Sequence, residues 1–201
     1  MENQSLELFN ESQSKPKRKN NPELLRHSIL IAAKDLMLQD GIANLSMQKV
    51  ADAAGTSKGG LFHHFKNKDE LILSVLELFI AQVNTAIMQH INEMGEAKGV
   101  FTRAYVSVFF ENTEIGLSSD WSGLIRAMNA ESKLAALWDS WLHHKVGSFS
   151  HTDSDIRLTA IRYAVDGAWL NNIDIKELPA IRDYLMTLID DIVRQPIKNT
   201  T

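Results

Sequence analysis

Between Ser46 and Leu71 the chain reads S-M-Q-K-V-A-D-A-A-G-T-S-K-G-G-L-F-H-H-F-K-N-K-D-E-L, and no other stretch constrains the fold as much. Ser46 is a helix cap, and the helix it opens, Met47 to Ala54, has Val50, Ala51 and Ala54 as its inner face. Gly55 supplies a left-handed turn, and Thr56 or Ser57 caps a short second helix running through His64. Leu61 and Phe65, four apart, bury together beneath that second helix, while Lys58, His63 and His64 stay on the outside. Asn67-Lys68-Asp69-Glu70 resembles a capping box and opens a third, long helix. This order is the grammar of a helix-turn-helix, whose second helix can enter the major groove of DNA.

The rest of the chain is helical in pattern. Pro22 suits a first turn, and Leu25, Ile29, Ala32, Ala33, Leu36 and Met37 recur at three- and four-residue spacing up to Gly41. The long helix from Lys68 to about Met94 would measure roughly 40 Å. Further helices are expected near 100–112, 121–129, 133–149, 154–171 and 179–193, separated by glycine, serine and proline turns. No strand-like alternation and no internal repeat interrupts them. The expected fold is therefore all-α, with about nine helices.

Charge is partitioned along the chain in a way that the overall net charge of -4 conceals. Residues 1–14 hold three acids and no base. Residues 15–69 hold ten Lys/Arg against five Asp/Glu, and residues 70–201 hold eleven against seventeen. The positive charge thus lies on the helix-turn-helix segment, as phosphate contact requires. Residues 1–21 lack helical periodicity and read as a mobile tail, ending in the basic run Lys15-Pro16-Lys17-Arg18-Lys19. That run is either a solvated tail or an arm that reaches the DNA backbone or minor groove through Lys17, Arg18 and Lys19. The chain has no cysteine, which excludes disulfides and thiolate metal sites and fits a reducing cytoplasm. No apolar run approaches the roughly 18 to 20 residues of a membrane span, and no signal-peptide pattern precedes the helices.

Gly59-Gly60 is unexpected inside a short helix, because each glycine costs about 1 kcal/mol relative to alanine. Either the neighbours alone hold the helix, or something else approaches it closely, such as a sugar-phosphate surface. Lys68 stands in the first turn of the long helix, where free amides favour an anion, so a phosphate would suit both lysine and helix end. The whole segment resembles the tetracycline-repressor (TetR) family of bacterial transcriptional regulators. Their pattern, Ala-Gly followed by Ser-x-Gly-x-Leu-Tyr-x-His-Phe-x-x-Lys-x-x-Leu, is met by Ala54-Gly55, Ser57, Gly59, Leu61, Phe62, His64, Phe65, Lys68 and Leu71. The resemblance covers roughly residues 25–72. It implies phosphate contacts from Ser46, His64 and Lys68, and groove contacts from Gln48, Ser57, Lys58, Gly59 and His63. Phe62 stands where the family usually has tyrosine; it can pack against DNA but cannot donate a phenolic hydrogen bond to phosphate.

The resemblance also implies a division into a DNA-binding domain at 22–67, a ligand-binding and dimerisation domain at 68–195, and short tails at 1–21 and 196–201. It implies a homodimer joined by the last two long helices. Their apolar faces supply the expected interface: Ile161, Val165, Ala168 and Trp169, with Leu185, Leu188, Ile189 and Ile192; alternatively these faces close the core of one chain. Large side chains in the middle of the sequence, Phe101, Tyr105, Phe109, Trp121, Met128, Trp138 and Trp141, are the candidates for a small-molecule pocket, against the plainer reading that they are core. Glu111, Glu114 and Asp166 could add polarity or favour a cation there. His143, His144 and His151 lack metal-ligand spacing, and no nucleophile frame, paired carboxylates or phosphate loop suggests an enzyme or a cofactor. The expectation is a cytoplasmic, ligand-responsive regulator, most simply a repressor, that binds palindromic double-stranded DNA as a homodimer and does not engage membranes. The competing reading is a helical protein–protein module whose helix-turn-helix has lost DNA binding.

Overall fold

The computed structural model describes residues 21–129, 131–171 and 173–195. Among them are ten α-helices and no strand: α1 (Pro22–Asp40), α2 (Met47–Ala53), α3 (Lys58–His64), α4 (Lys68–Met94), α5 (Val100–Glu111), α6 (Trp121–Asn129), α7 (Ser132–Ser148), α8 (Ser150–Asp153), α9 (Ile156–Leu170) and α10 (Leu178–Arg194). The all-α expectation holds. The tenth helix is α8, a single turn where a plain break was expected.

The first three helices begin at side-chain caps. Asn21 accepts from the Glu23 amide at 3.1 Å, Ser46 from Lys49 at 3.2 Å, and Ser57 from Gly60 at 3.0 Å. At the start of α4, Asn67 accepts from the Glu70 amide at 2.8 Å, and Glu70 reaches back to the amide of Lys66 at 2.8 Å. That is a capping box displaced by one residue, since the return bond lands just before the cap. Between α2 and α3, Gly55 takes φ +65°, which lets the Thr56 amide close onto the Ala51 carbonyl at 2.9 Å. Beneath this frame Ile29, Ala33, Val50, Ala51, Leu61, Phe65, Leu71 and Val75 are wholly buried.

The helix α4 carries this core on without a break into its larger part. Its inner residues Phe79, Val83, Ile87 and Ile91 pack against α5, which is apolar nearly all round and sits enclosed by α4, α8, α9 and α10. One sequence expectation needs correction here. An 18-residue window of α4 has a mean hydropathy of 1.9, so this helix is long and apolar enough for a membrane span. Half of that window is buried inside the protein, which is the pattern of a core helix.

The residues expected at a dimer interface lie mostly inside the single chain. Ile161, Val165, Ala168, Trp169, Leu185 and Ile189 are buried within the single chain, and Leu188 and Ile192 pack half-buried against the same core. The most apolar faces of α9 and α10 close their own protomer, because α5 lies directly beneath them. The faces left outside are different: Ile156, Ala160, Tyr163, Ala164 and Leu170 on α9, with Ala180, Tyr184 and Thr187 on α10. Exposure reaches 68% at Ile156, 69% at Tyr163 and 64% at Tyr184.

The one-turn α8 has a definite task. At the start of α5 the cap position is Gly99 (φ +72°), which offers no side chain to the first amides. Its missing Cβ would lie 3.3 Å from Ile189 of α10, so close packing and backbone both demand glycine. Asp153 at the end of α8 takes over the cap, accepting from the Phe101 amide at 3.1 Å and the Thr102 amide at 2.8 Å. The Thr102 hydroxyl donates to Asp153 at 2.6 Å and accepts from Arg162 of α9 at 2.5 Å. Asp153 and Arg162 are both essentially inaccessible to solvent. Breaking such a buried set strands a charge, at a cost of about 3–5 kcal/mol. Asp153→Ala is therefore expected to lower chemical-denaturation stability by that amount, whereas exposed Asp69→Ala should change it by less than about 1 kcal/mol.

Candidate nucleic-acid interface and effector cavity

Only Leu61 among the α3 residues is buried, with Phe65 at its end; the rest of the helix turns outward. Ser57, Lys58, Gly59, Phe62 and His63 are exposed and His64 is half-buried, so one short helix presents a continuous polar and aromatic surface. Phe62 is 40% exposed, with the Lys58 ammonium 5.9 Å from its ring centre. On α2, Gln48 is exposed and donates to Asp52 at 2.8 Å; Ser46 is half-buried and held by its own cap. Lys68 donates to the Ala43 carbonyl at 2.8 Å, tying the start of α4 to the turn after α1. An ammonium has two further hydrogens, so this tether leaves it able to meet a phosphate. Arg26 stacks 5.0 Å over Phe65, bracing α3 from α1. Lys17, Arg18 and Lys19 lie outside the described residues.

The glycine pair divides into two roles. A Cβ on Gly60 would stand 2.6 Å from the Thr56 hydroxyl, an internal reason for glycine. At Gly59 the nearest foreign atom would be Ser57 Oγ at 3.9 Å. The chain's own packing does not require glycine there.

The larger lobe contains a cavity of about 240 Å³ between α4, α6, α7 and α9. Phe79, Trp138, Trp169 and Met128 supply much of its wall, with Asp139 and Asp166 as its carboxylates. Of the seven side chains expected to line a pocket, Met128 and Trp138 do so. Phe101, Tyr105 and Phe109 are fully buried on α5, and Trp121 is buried behind Phe79, their ring centres 5.0 Å apart. Trp141 packs on Trp138 at 4.8 Å, one layer out. Glu111 pairs instead with Arg182 on the surface, and Glu114 is exposed in the loop after α5. The lining residues not anticipated from sequence include Phe79 and Trp169, which looked like ordinary members of helical apolar faces.

Asp166 is the electrostatically unusual group. Burial pushes its carboxyl from 3.8 up to about 6, against the opposing hydrogen bond donated by the Tyr105 hydroxyl. Burial, followed by the Asp166 charge, holds the Tyr105 phenol well above its ordinary range. A carboxyl raised in the folded state contributes stability below about pH 4 that is lost as pH rises through about 6. Asp166→Asn, which can still accept from Tyr105, is therefore expected to be more stable than wild type at neutral pH, by up to about 3 kcal/mol. The gain should vanish below the ordinary carboxylate range in a pH series of thermal melts. For the DNA face, Gly59→Ala should keep or raise the melting temperature, with up to about 1 kcal/mol of stabilisation. The same variant should bind duplex DNA at least about tenfold more weakly, a difference of about 1.4 kcal/mol readable by gel shift.

Comparison with known proteins agrees with this geometry. The pattern defining the bacterial regulatory proteins of the tetR family matches residues 29–75, and that of the tetracyclin repressor-like C-terminal domain matches residues 99–190. The chain is 33% identical over 89 residues to the transcriptional activator FasR of Mycolicibacterium smegmatis, covering 44% of this chain and 40% of FasR. It is 24% identical over 160 residues to the transcriptional repressor KstR2 of Rhodococcus jostii, covering 72% and 76% of the two chains. Among solved structures, Salmonella enterica GusR superposes with a TM-score of 0.67 at 16% identity, covering 88% of this chain and 99% of that one. The multidrug binding protein EbrR, complexed with malachite green, superposes at 0.63 with 20% identity, covering 81% and 96%. With the helix-turn-helix and the helical lobe behind it each matching its counterpart, the chain belongs to the tetR family of bacterial regulatory proteins.

Proposed function

We propose that this protein is a cytoplasmic transcriptional repressor that binds a palindromic operator as a homodimer and is released by a small molecule held in the α4–α6–α7–α9 cavity. The observation that carries the DNA-binding half is the outward surface of α3. Ser57, Lys58, Gly59, Phe62 and His63 are exposed on a helix whose buried residues already fix its position. A surface of this kind offers a cation, hydrogen-bonding side chains and an aromatic edge to the major groove. Its relatives named as repressors support the direction of control.

A single α3 reads few base pairs, so two copies related by a twofold axis are the economical route to specificity. The outer faces of α9 and α10, with Ile156, Ala160, Tyr163, Ala164 and Tyr184, are the surface on which we place the partner. Small alanines between larger apolar residues let two helix pairs approach closely.

The cavity sits where it can move α3. Leu76 and Phe79 of α4 line it, eight and eleven residues from the helix start at Lys68, or roughly 12 to 17 Å along the axis. A second link runs through α6: Ile125 and Met128 line the cavity, while Trp121 at the head of the same helix lies under Lys34 of α1, 5.4 Å from its ring centre. A ligand that favours one arrangement of α4 and α6 shifts the separation of the paired α3 helices away from groove spacing.

Gel shifts against a palindrome selected from random duplexes test this reading. Affinity should fall steeply with salt. Lys58→Ala should relax base preference, with discrimination at the contacted position falling by about 1–3 kcal/mol. Lys68→Ala should weaken all sequences alike and reduce the salt slope by about 1. Ala164→Glu should yield a folded monomer by sedimentation and lose operator binding. Failure of the wild-type protein to bind any duplex at low salt would refute the proposal.

A further inference from the structure

The cavity is built for charge as well as for shape. Phe79, Trp138 and Trp169 form one aromatic corner, with Trp138 and Trp169 each about 6 Å from Phe79, at 6.0 and 5.9 Å between ring centres. Trp138 lies tilted by 32° to Phe79, and Trp169 meets it edge-on at 86°. Two carboxylates join this corner from different helices, Asp139 on α7 and Asp166 on α9, and no lysine or arginine is among the described residues lining the cavity. Tyr163 and Leu170 stand at the mouth, both largely exposed.

Resting on the reading of this cavity as the effector site, we infer that the effector is an aromatic organic cation. Aromatic faces attract a cation through their quadrupole, and the carboxylates, half-buried Asp166 and exposed Asp139, attract it directly. A neutral ring can stack on the aromatic walls but gains nothing from the carboxylates, and the carboxylates oppose an anion. No cation lines the cavity beside Asp166; Arg162 on the same helix relieves its charge only in part, being hydrogen-bonded to Thr102 and Thr159 and 3.8 Å from Asp153. The raised affinity of Asp166 for a proton shows the same deficit, because its charge is penalised by burial more than its neighbours relieve it. A bound cation would supply what the proton now supplies. The Tyr105 hydroxyl holds the carboxylate in place from behind, on the fully buried face of α5.

Three planar probes of one shape and different charge test the inference on the full-length protein: 10-methylacridinium, uncharged acridine and acridine-9-carboxylate. Binding is read by quenching of tryptophan fluorescence and by calorimetry at about pH 8, where acridine is neutral and Asp166 is ionised. The cation should bind at least about tenfold more tightly than acridine, and the carboxylate most weakly. In Asp139→Asn/Asp166→Asn, folded by circular dichroism, the preference for the cation over acridine should shrink to less than about threefold while acridine binds as before. Equal wild-type affinity for cation and neutral ring would overturn the inference, as would a preference that survives removal of both carboxylates, or binding of no probe. Duplex binding measured on the same preparation separates the two readings. Protein that binds DNA but shows no cation preference refutes the effector charge alone, whereas protein that binds no duplex refutes the regulator.

Discussion

A single uninterrupted helix, α4, runs through one continuous hydrophobic core from the part under α3 to the part around α5, and the rest of the structure is arranged around that fact. Its first turns place Leu71 and Val75 in the part of that core under α3, and its later turns place Phe79, Val83, Ile87 and Ile91 in the part around α5. At 27 residues it spans roughly 40 Å without a proline or glycine to bend it. A rigid rod packed into the core along both halves transmits displacement rather than absorbing it. Its start is fixed on both sides of the backbone: Asn67 caps it, Glu70 braces Lys66, and Lys68 grips the Ala43 carbonyl. On the proposed reading, whatever moves α4 at Phe79 also moves α3.

The larger lobe supplies the opposing requirement, a frame that does not yield. Helix α5 is buried almost everywhere, so the amides at its start cannot rely on water. Asp153 caps them from α8, and Thr102 and Arg162 complete the set across α9. One turn along α5, Tyr105 anchors Asp166 of the same α9. These two polar ties fix α9 against α5 from inside, while α9 borders the cavity on one flank and leaves an exposed face on the other. The remaining walls of the cavity come from α4, α6 and α7.

What the sequence made legible follows from the range of the interactions involved. The helix-turn-helix is written locally: Ser46, Ser57 and Asn67 cap helices within three residues of themselves, and Gly55 turns the chain where a left-handed residue is needed. Asp153 looked like one residue of a serine-rich break, because the amides it caps lie 51 and 52 residues earlier in the chain. The faces of α9 and α10 show a different limit of local pattern. Periodicity identifies the most apolar stripe, and that stripe met α5 of its own chain; the outer stripe, with Ala160, Ala164 and Thr187, is too small and mixed to announce itself. The aromatic side chains likewise divided by depth. Those on α5 vanished into the core, and the cavity wall drew on Phe79 and Trp169, which periodicity alone assigns to ordinary helix faces.

Coupling between cavity and recognition helix is the central claim, and it can be examined with no ligand at all. Ala135 is a half-buried, small residue on the α7 wall of the cavity, far from α3 in the chain. Ala135→Trp would fill part of the cavity with an indole in place of an effector. Operator affinity of this variant, measured by fluorescence anisotropy beside a thermal melt, is the most direct test. If the cavity controls α4, the folded variant should bind operator at least about tenfold more weakly than wild type. A variant that melts cooperatively and binds operator as tightly as wild type would contradict the account.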